Sequence, residues 1–105
     1  MTVAAAFQAL GEPRRLAIVE LLREGEKSVG ELSERLDASQ PAVSKHLRAL
    51  REAGLVDVRP DAQHRFYRLR PEPLAELDDW LAPYRWLWTR SMDRLEAHLE
   101  DRRKP

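Results

Sequence analysis

Two helix-start signals lie close together near the middle of the chain, and they leave little room between them. Ser28-Val29-Gly30-Glu31 has capping-box spacing: the serine hydroxyl accepts one free amide of the first turn and the glutamate reaches back to another. Ser39 followed by Gln40-Pro41 is a second start, with a hydroxyl at the cap and proline in the first turn, where its missing amide costs nothing. A third helix beginning at residue 29 must therefore end near Asp37, and a fourth begins about three residues later. A short helix, a tight turn and a longer helix form a helix-turn-helix, here expected over residues 29–53.

The flanking segments extend this pattern. Val3 to Leu10 is short, apolar and alanine-rich and reads as a first helix with Val3, Phe7 and Leu10 on one stripe. Glu12-Pro13 begins a second over about 13–24, with a stripe of Leu16, Val19/Glu20 and Leu22 running to a glycine cap at Gly25. Leu32 and Leu36 give the third helix a narrow apolar stripe, and Val43, Leu47 and Leu50 give the fourth its buried face before Gly54 stops it. Beyond Gly54 the apolar period drops from 3.6 to 2. Two strands are expected, Leu55–Arg59 and Arg65–Arg70, joined by the polar turn 60–64, with Pro71 and Pro73 ending the second. From Leu74 to about Glu100 the chain is helical again, with Pro83 either kinking that helix or starting another, and residues 101–105 are expected to fray. The fold expected is mainly helical with a small β-hairpin: a winged helix-turn-helix of order α-α-α-α-β-β-α, in one domain spanning 1–105, with the wing over 55–70 and a dimerisation helix over 74–100.

Composition narrows the function classes. The chain has 105 residues, a net charge of +0 and no cysteine, which excludes disulfides, thiolate metal sites and a cysteine nucleophile. A domain this small buries only about two-thirds of its unfolded surface, so a second subunit is an expected source of further burial. No apolar run reaches membrane-spanning length and no basic region precedes the apolar N-terminal stretch, so a cytoplasmic protein with no membrane partner is expected. The charge is uneven: residues 1–38 carry −2, residues 39–70 carry +4 and residues 71–105 carry −2. A basic centre between acidic ends offers a local footprint for phosphates without the excess that coats any polyanion.

That basic segment includes the fourth helix. Opposite its apolar stripe lie Pro41, Lys45, Arg48 and Glu52, with Ser44 at the edge, so a polar and mostly basic face points outward. Gln40, Ser44 and Lys45 are placed to reach base edges in a major groove, and Arg48 with the wing arginines Arg65 and Arg68 is long enough for backbone phosphates. Double-stranded DNA is the partner expected from the whole pattern; an ordinary solvated helix face is the competing account. His46 lies about 60° off the buried stripe and can pack at the helix boundary or reach DNA. His64 reads as a turn residue. No acid–base pair, activated nucleophile or glycine-rich phosphate loop is present, so no enzyme and no cofactor are expected.

The run Leu32…Leu36…Ser39…Val43-Ser44-Lys45-His46-Leu47…Leu50…Ala53-Gly54-Leu55-Val56, followed by Phe66-Tyr67-Arg68-Leu69, resembles the ArsR-type winged-helix transcriptional regulators, as does Ala9-Leu10-Gly11-Glu12-Pro13-Arg14-Arg15-Leu16 near the N-terminus. The match covers about residues 5–70. The resemblance implies a homodimeric repressor paired through its first and last helices and released in many members by a signal, with Gln40, Pro41, Ser44, Lys45 and His46 at DNA-facing positions. Where the thiolate sensors of that family carry Cys-x-Cys, this chain has Ser28-Val29-Gly30; Asp78-Asp79-Trp80 lacks the histidine of a second family metal pattern, and His98 has no partner at the required spacing. No metal site is therefore expected, which places the chain in a cysteine-free branch.

The aromatic cluster Trp80, Tyr84, Trp86 and Trp88 admits two readings. In the first, Trp80, Tyr84, Trp88, Leu95 and Leu99 of the last helix pack on a symmetry mate together with Val3, Phe7 and Leu10 of the first helix. In the second, the cluster holds an apolar small-molecule effector of unknown identity. A winged-helix module that docks a protein partner through this helix is a further alternative.

Overall fold

A computed structural model describes residues 2–103, with side-chain surroundings defined through Leu99. Helices α1 (Val3–Leu10), α2 (Pro13–Leu22), α3 (Val29–Leu36) and α4 (Gln40–Glu52) are followed by strands β2 (Val56–Asp61) and β3 (His64–Leu69); a two-residue strand β1 (Lys27–Ser28) precedes α3. Helix α5 (Pro71–Leu81), a single 3-10 turn (Ala82–Tyr84) and α6 (Arg85–Arg103) complete the chain.

The start signals act as their chemistry requires. Ser28 Oγ accepts the Glu31 amide at 3.2 Å while the Glu31 carboxylate accepts the Ser28 amide at 3.2 Å, a complete capping box. Ser39 Oγ accepts the Ala42 amide at 3.3 Å. Between them α3 ends on Asp37 with φ of 50°, a left-handed position that aspartate tolerates better than most residues.

One core joins these elements. Ile18 and Leu22 of α2, Leu32 of α3, and Val43, Leu47 and Leu50 of α4 are buried together with Leu55, Val56 and Leu77. Helix α4 thus buries the stripe expected of it. In α1 and α2 the expected stripes are corrected. Ala6 and Ala9 are the buried residues of α1, because small side chains let its backbone approach α2 and α5 closely, and Phe7 is left 41% exposed. In α2, Ile18 and Leu22 make the one-turn pair that faces the core, which turns Leu16 outward.

The wing has a third strand. The sheet order is β1-β3-β2, with Lys27 opposite Tyr67 and Ser28 opposite Phe66; two residues are too few to show a period in sequence. The hairpin is also tighter than expected: Asp61 pairs with His64, which leaves Ala62 and Gln63 as the turn where the sequence suggested residues 60–64. Pro71 both ends the wing and begins α5 as its first residue, so that helix starts three residues before Leu74; proline is preorganised for a first turn and gives up no hydrogen bond there. Pro83 splits the last helix through the 3-10 turn. The backbone remains helical to Arg103 where a frayed tail was expected, and Lys104 and Pro105 lie outside the described residues.

The molecule measures 67 × 30 × 21 Å with a radius of gyration of 18.8 Å. A compact chain of this length has about 13 Å. The difference is α6, which projects from the domain with every side chain from Arg85 to Leu99 exposed.

Ala62 holds φ of 55° at the wing tip, a conformation that costs a residue with a Cβ about 1 kcal/mol or more. Ala62→Gly is expected to raise stability by up to about 1 kcal/mol, less the extra entropy glycine brings to the unfolded chain. Urea denaturation checks this, and a lowered midpoint would contradict it.

Candidate nucleic-acid interface

The outer face of α4 and the wing beside it form one basic surface. Gln40, Pro41, Ser44, Lys45 and Arg48 are all exposed, as the burial of Val43, Leu47 and Leu50 on the opposite side demands. Among the described residues, no carboxylate oxygen lies within 4.0 Å of the charged groups of Lys45, Arg48, Arg51, Arg65 or Arg68. Five cations are thus without close counter-ions on a protein whose net charge is +0.

The two wing arginines separate. Cross-strand pairing sets Val56 with Leu69, Val58 with Tyr67 and Pro60 with Arg65 on one face, and Asp57 with Arg68 and Arg59 with Phe66 on the other. Arg65 therefore faces α4, where it lines a cleft of about 260 Å³ with Ser44, Leu47, Arg48, Arg51 and Tyr67. Arg68 lies on the far face with Asp57 opposite it and within electrostatic range of Glu26. The sequence reading grouped Arg65 with Arg68 and passed over Arg51. The available signal was the row Ser44, Arg48 and Arg51 at i, i+4 and i+7, which shares Arg48 with the outer row of Pro41 and Lys45 and widens the basic face to one side.

His46 is set apart from the outer face. Its side chain is only 20% exposed, and Nδ1 lies 3.5 Å from Glu12 Oε2. Glu12 also caps α2 by accepting the Arg15 amide at 2.9 Å, and Arg15 Nε donates to the Ala9 carbonyl at 2.8 Å. The ring therefore packs at the junction of α1, α2 and α4, the helix-boundary alternative. His64 is exposed beside Phe66 at a ring separation of 6.3 Å.

A strap holds the wing from its far face. Arg59 Nη2 donates to Glu26 Oε2 at 2.8 Å and Nε to both carboxylate oxygens at 3.1 and 3.2 Å, while its guanidinium sits 5.1 Å from the Phe66 ring centre. Arg59 is on β2, Phe66 on β3 and Glu26 just before β1, so the strap crosses the sheet. Hydrogen bonding from Arg59 holds the Glu26 carboxyl below its ordinary range and raises the Arg59 guanidinium.

Of the expected aromatic cluster, Trp80 and Tyr84 come together with Phe7, whereas Trp86 meets Arg90 along α6 at 5.7 Å from its ring centre. Phe7 meets Trp80 edge-on with ring centres 5.2 Å apart, and Trp80 lies 4.9 Å from Tyr84. Of the expected dimer residues, Val3 and Leu10 pack partly against the core, whereas Phe7, Trp80, Tyr84, Trp88, Leu95 and Leu99 are exposed. Among the described residues no group of three or more His, Cys, Asp or Glu is placed to hold a metal ion, and no helix is long and apolar enough to cross a membrane.

Comparison with known proteins fits this geometry. The family model described as bacterial regulatory protein, arsR family, matches residues 12–58, from the cap of α2 into β2. The HTH-type transcriptional regulator Rv2034 of Mycobacterium tuberculosis is 46% identical over 87 residues, which cover 83% of this chain and 78% of that protein. The chain belongs to the ArsR family. The biofilm growth-associated repressor of Agrobacterium fabrum is 47% identical over 75 residues, or 71% of this chain; the match spans 64% of the repressor, just under two-thirds of its length. Among solved structures, reduced HlyU from Vibrio cholerae superposes with a TM-score of 0.65 at 43% identity, covering 77% of this chain and 86% of that one. As an ArsR-family member the chain is a winged helix-turn-helix transcriptional regulator.

The strap carries a pH signature. Because the Glu26 carboxyl is lowered in the folded state, its stabilising contribution is present above the ordinary carboxylate range and is lost as pH falls through the lowered folded value. A carboxyl-resolved NMR titration should find Glu26 below an exposed glutamate, and Arg59→Gln should return it to the ordinary range. An unchanged Glu26 titration in that variant would show that the strap does not persist in solution.

Proposed function

We propose that this ArsR-family regulator is a homodimeric repressor that binds a pseudo-palindromic operator in double-stranded DNA. The observation that carries this reading is the outer face of α4, exposed and without nearby counter-ions, held beside a wing that adds Arg65 to the same surface. A helix of this width enters a major groove, where Gln40, Ser44 and Lys45 near its N-terminus address base edges and Arg48 addresses the backbone. Pro41 shapes the first turn at that end. His46, held against Glu12, orients α4 rather than reading bases.

The dimer is supported by what one chain leaves uncovered. Phe7, Trp80, Tyr84, Trp88, Leu95 and Leu99 are large, apolar and exposed on α1, α5 and α6, and α6 extends away from the domain as it would to meet a second copy. Two-fold pairing then sets the two recognition helices about one helical turn of DNA apart. In the absence of cysteine, any release signal acts without a thiolate site.

Selection from genomic fragments with purified protein, followed by titration in about 0.15 M salt, tests the reading. A symmetric site bound orders of magnitude more tightly than its scramble is expected. Lys45→Ala should weaken that site by about 1–3 kcal/mol while changing binding to scrambled DNA far less. Binding that is weak and blind to sequence would shift the assignment to a protein-docking module. Sedimentation should show a dimer that Trp80→Glu with Leu95→Glu converts to monomer, and a monomeric parent would remove the two-fold account. Tryptophan fluorescence that responds to a small-molecule panel would point to an organic effector at the cluster.

A further inference from the structure

The cleft between α4 and the wing draws arginines from two separate elements. Arg48 and Arg51 of α4 and Arg65 of β3 all line one concavity of about 260 Å³. Ser44, Leu47 and Tyr67 complete the lining, and no acidic residue is part of it. A neighbouring hollow is lined by Arg51 and Arg65 again, with Val58 and Pro60. Other basic residues near the wing are matched: Arg59 to Glu26 and Asp61, and Arg70 to Glu72 at 3.7 Å. Among the described residues the three cleft arginines have no carboxylate within 4.0 Å.

Like charges converge at little cost when an anion completes the site, and guanidinium forks with hydroxyl donors match the unesterified oxygens of a phosphodiester. We infer that this cleft seats one backbone phosphate of duplex DNA, with Arg51 and Arg65 as its principal ligands and Arg48 and the Ser44 hydroxyl closing it from the helix. The inference rests on the DNA-binding reading and adds a residue, Arg51, and a division of labour to it. Lys45 lies on the flank of α4 away from the cleft and serves the groove, the cleft serves the backbone, and Arg68, on the other face of the sheet, serves neither.

Salt dependence tests the assignment without knowledge of the operator. On a 30-base-pair duplex of scrambled sequence, the slope of log affinity against log salt is expected to become shallower by about 0.9 for each cleft emptied by Arg51→Ala or Arg65→Ala. Arg68→Ala should leave the slope at the parental value, and Arg51→Lys, which keeps a charge at the site, should restore most of it. Arg51 is exposed, so thermal melting of its variants should match the parent. On a recovered operator carrying single methylphosphonate linkages, one neutralised phosphate per half-site should weaken the parent more than Arg51→Ala. Unchanged slopes for Arg51→Ala and Arg65→Ala, or a loss confined to Arg68→Ala, would overturn the phosphate seat while leaving the protein a DNA binder. Failure of the parent to bind any duplex at low salt would remove the DNA-binding reading and the seat with it.

Discussion

Burial of one stripe of α4 governs the rest of the molecule. Val43, Leu47 and Leu50 are packed into the cluster that also holds Ile18, Leu22 and Leu32, and each such side chain contributes about 1.5–3 kcal/mol on leaving water. With that stripe inside, the helix has no freedom to rotate, and a 3.6-residue period carries Pro41, Lys45 and Arg48 to the outside. The charged face is a consequence of apolar packing. The polar junction at Glu12 reinforces it: one carboxylate caps α2 and meets His46 on α4, and Arg15 ties the same corner to the end of α1.

The wing answers to the same constraint through its alternation. Val56, Val58, Tyr67 and Leu69 turn toward the core side of the sheet, which leaves Arg65 beside α4 and sends Arg68 to the far face. A slip of one residue in this register would exchange the two arginines. The register is held at the base, where the Arg70 amide donates to the Leu55 carbonyl at 2.9 Å, and across the sheet, where Arg59 reaches over Phe66 to Glu26. The basic cleft is therefore a property of the pairing between strands, not of either strand alone.

At the opposite pole the chemistry is apolar. Helices α1 and α5 meet through Phe7 and Trp80, and α6 continues outward past Pro83 without a covering layer from its own chain. In the proposed dimer a second copy would cover this helix, and two-fold pairing would hold the two copies of α4 at a fixed spacing. On that proposal, apolar burial along α6 would set the geometry with which the α4 face meets DNA.

Local signals in the sequence were sufficient for α3, the turn after it and α4, because a hydroxyl cap, a proline in the first turn and a single apolar stripe are short-range effects that survive any packing. They were sufficient as well for the switch to strands after Gly54 and for the outward direction of Pro41, Ser44, Lys45 and Arg48. The stripes of α1 and α2 were not legible in the same way: both helices are apolar on more than one side, and which side is buried depends on how closely alanines let neighbouring helices approach. Nor was β1 legible, since two residues have no period and become a strand only when β3 is there to pair with them. The association of Arg51 with Arg65 belonged to the tertiary structure alone, whereas the separation of Arg65 from Arg68 follows from strand parity. A side chain's helix face or strand parity is written locally, but which face meets which is decided only when the sheet is laid against α4.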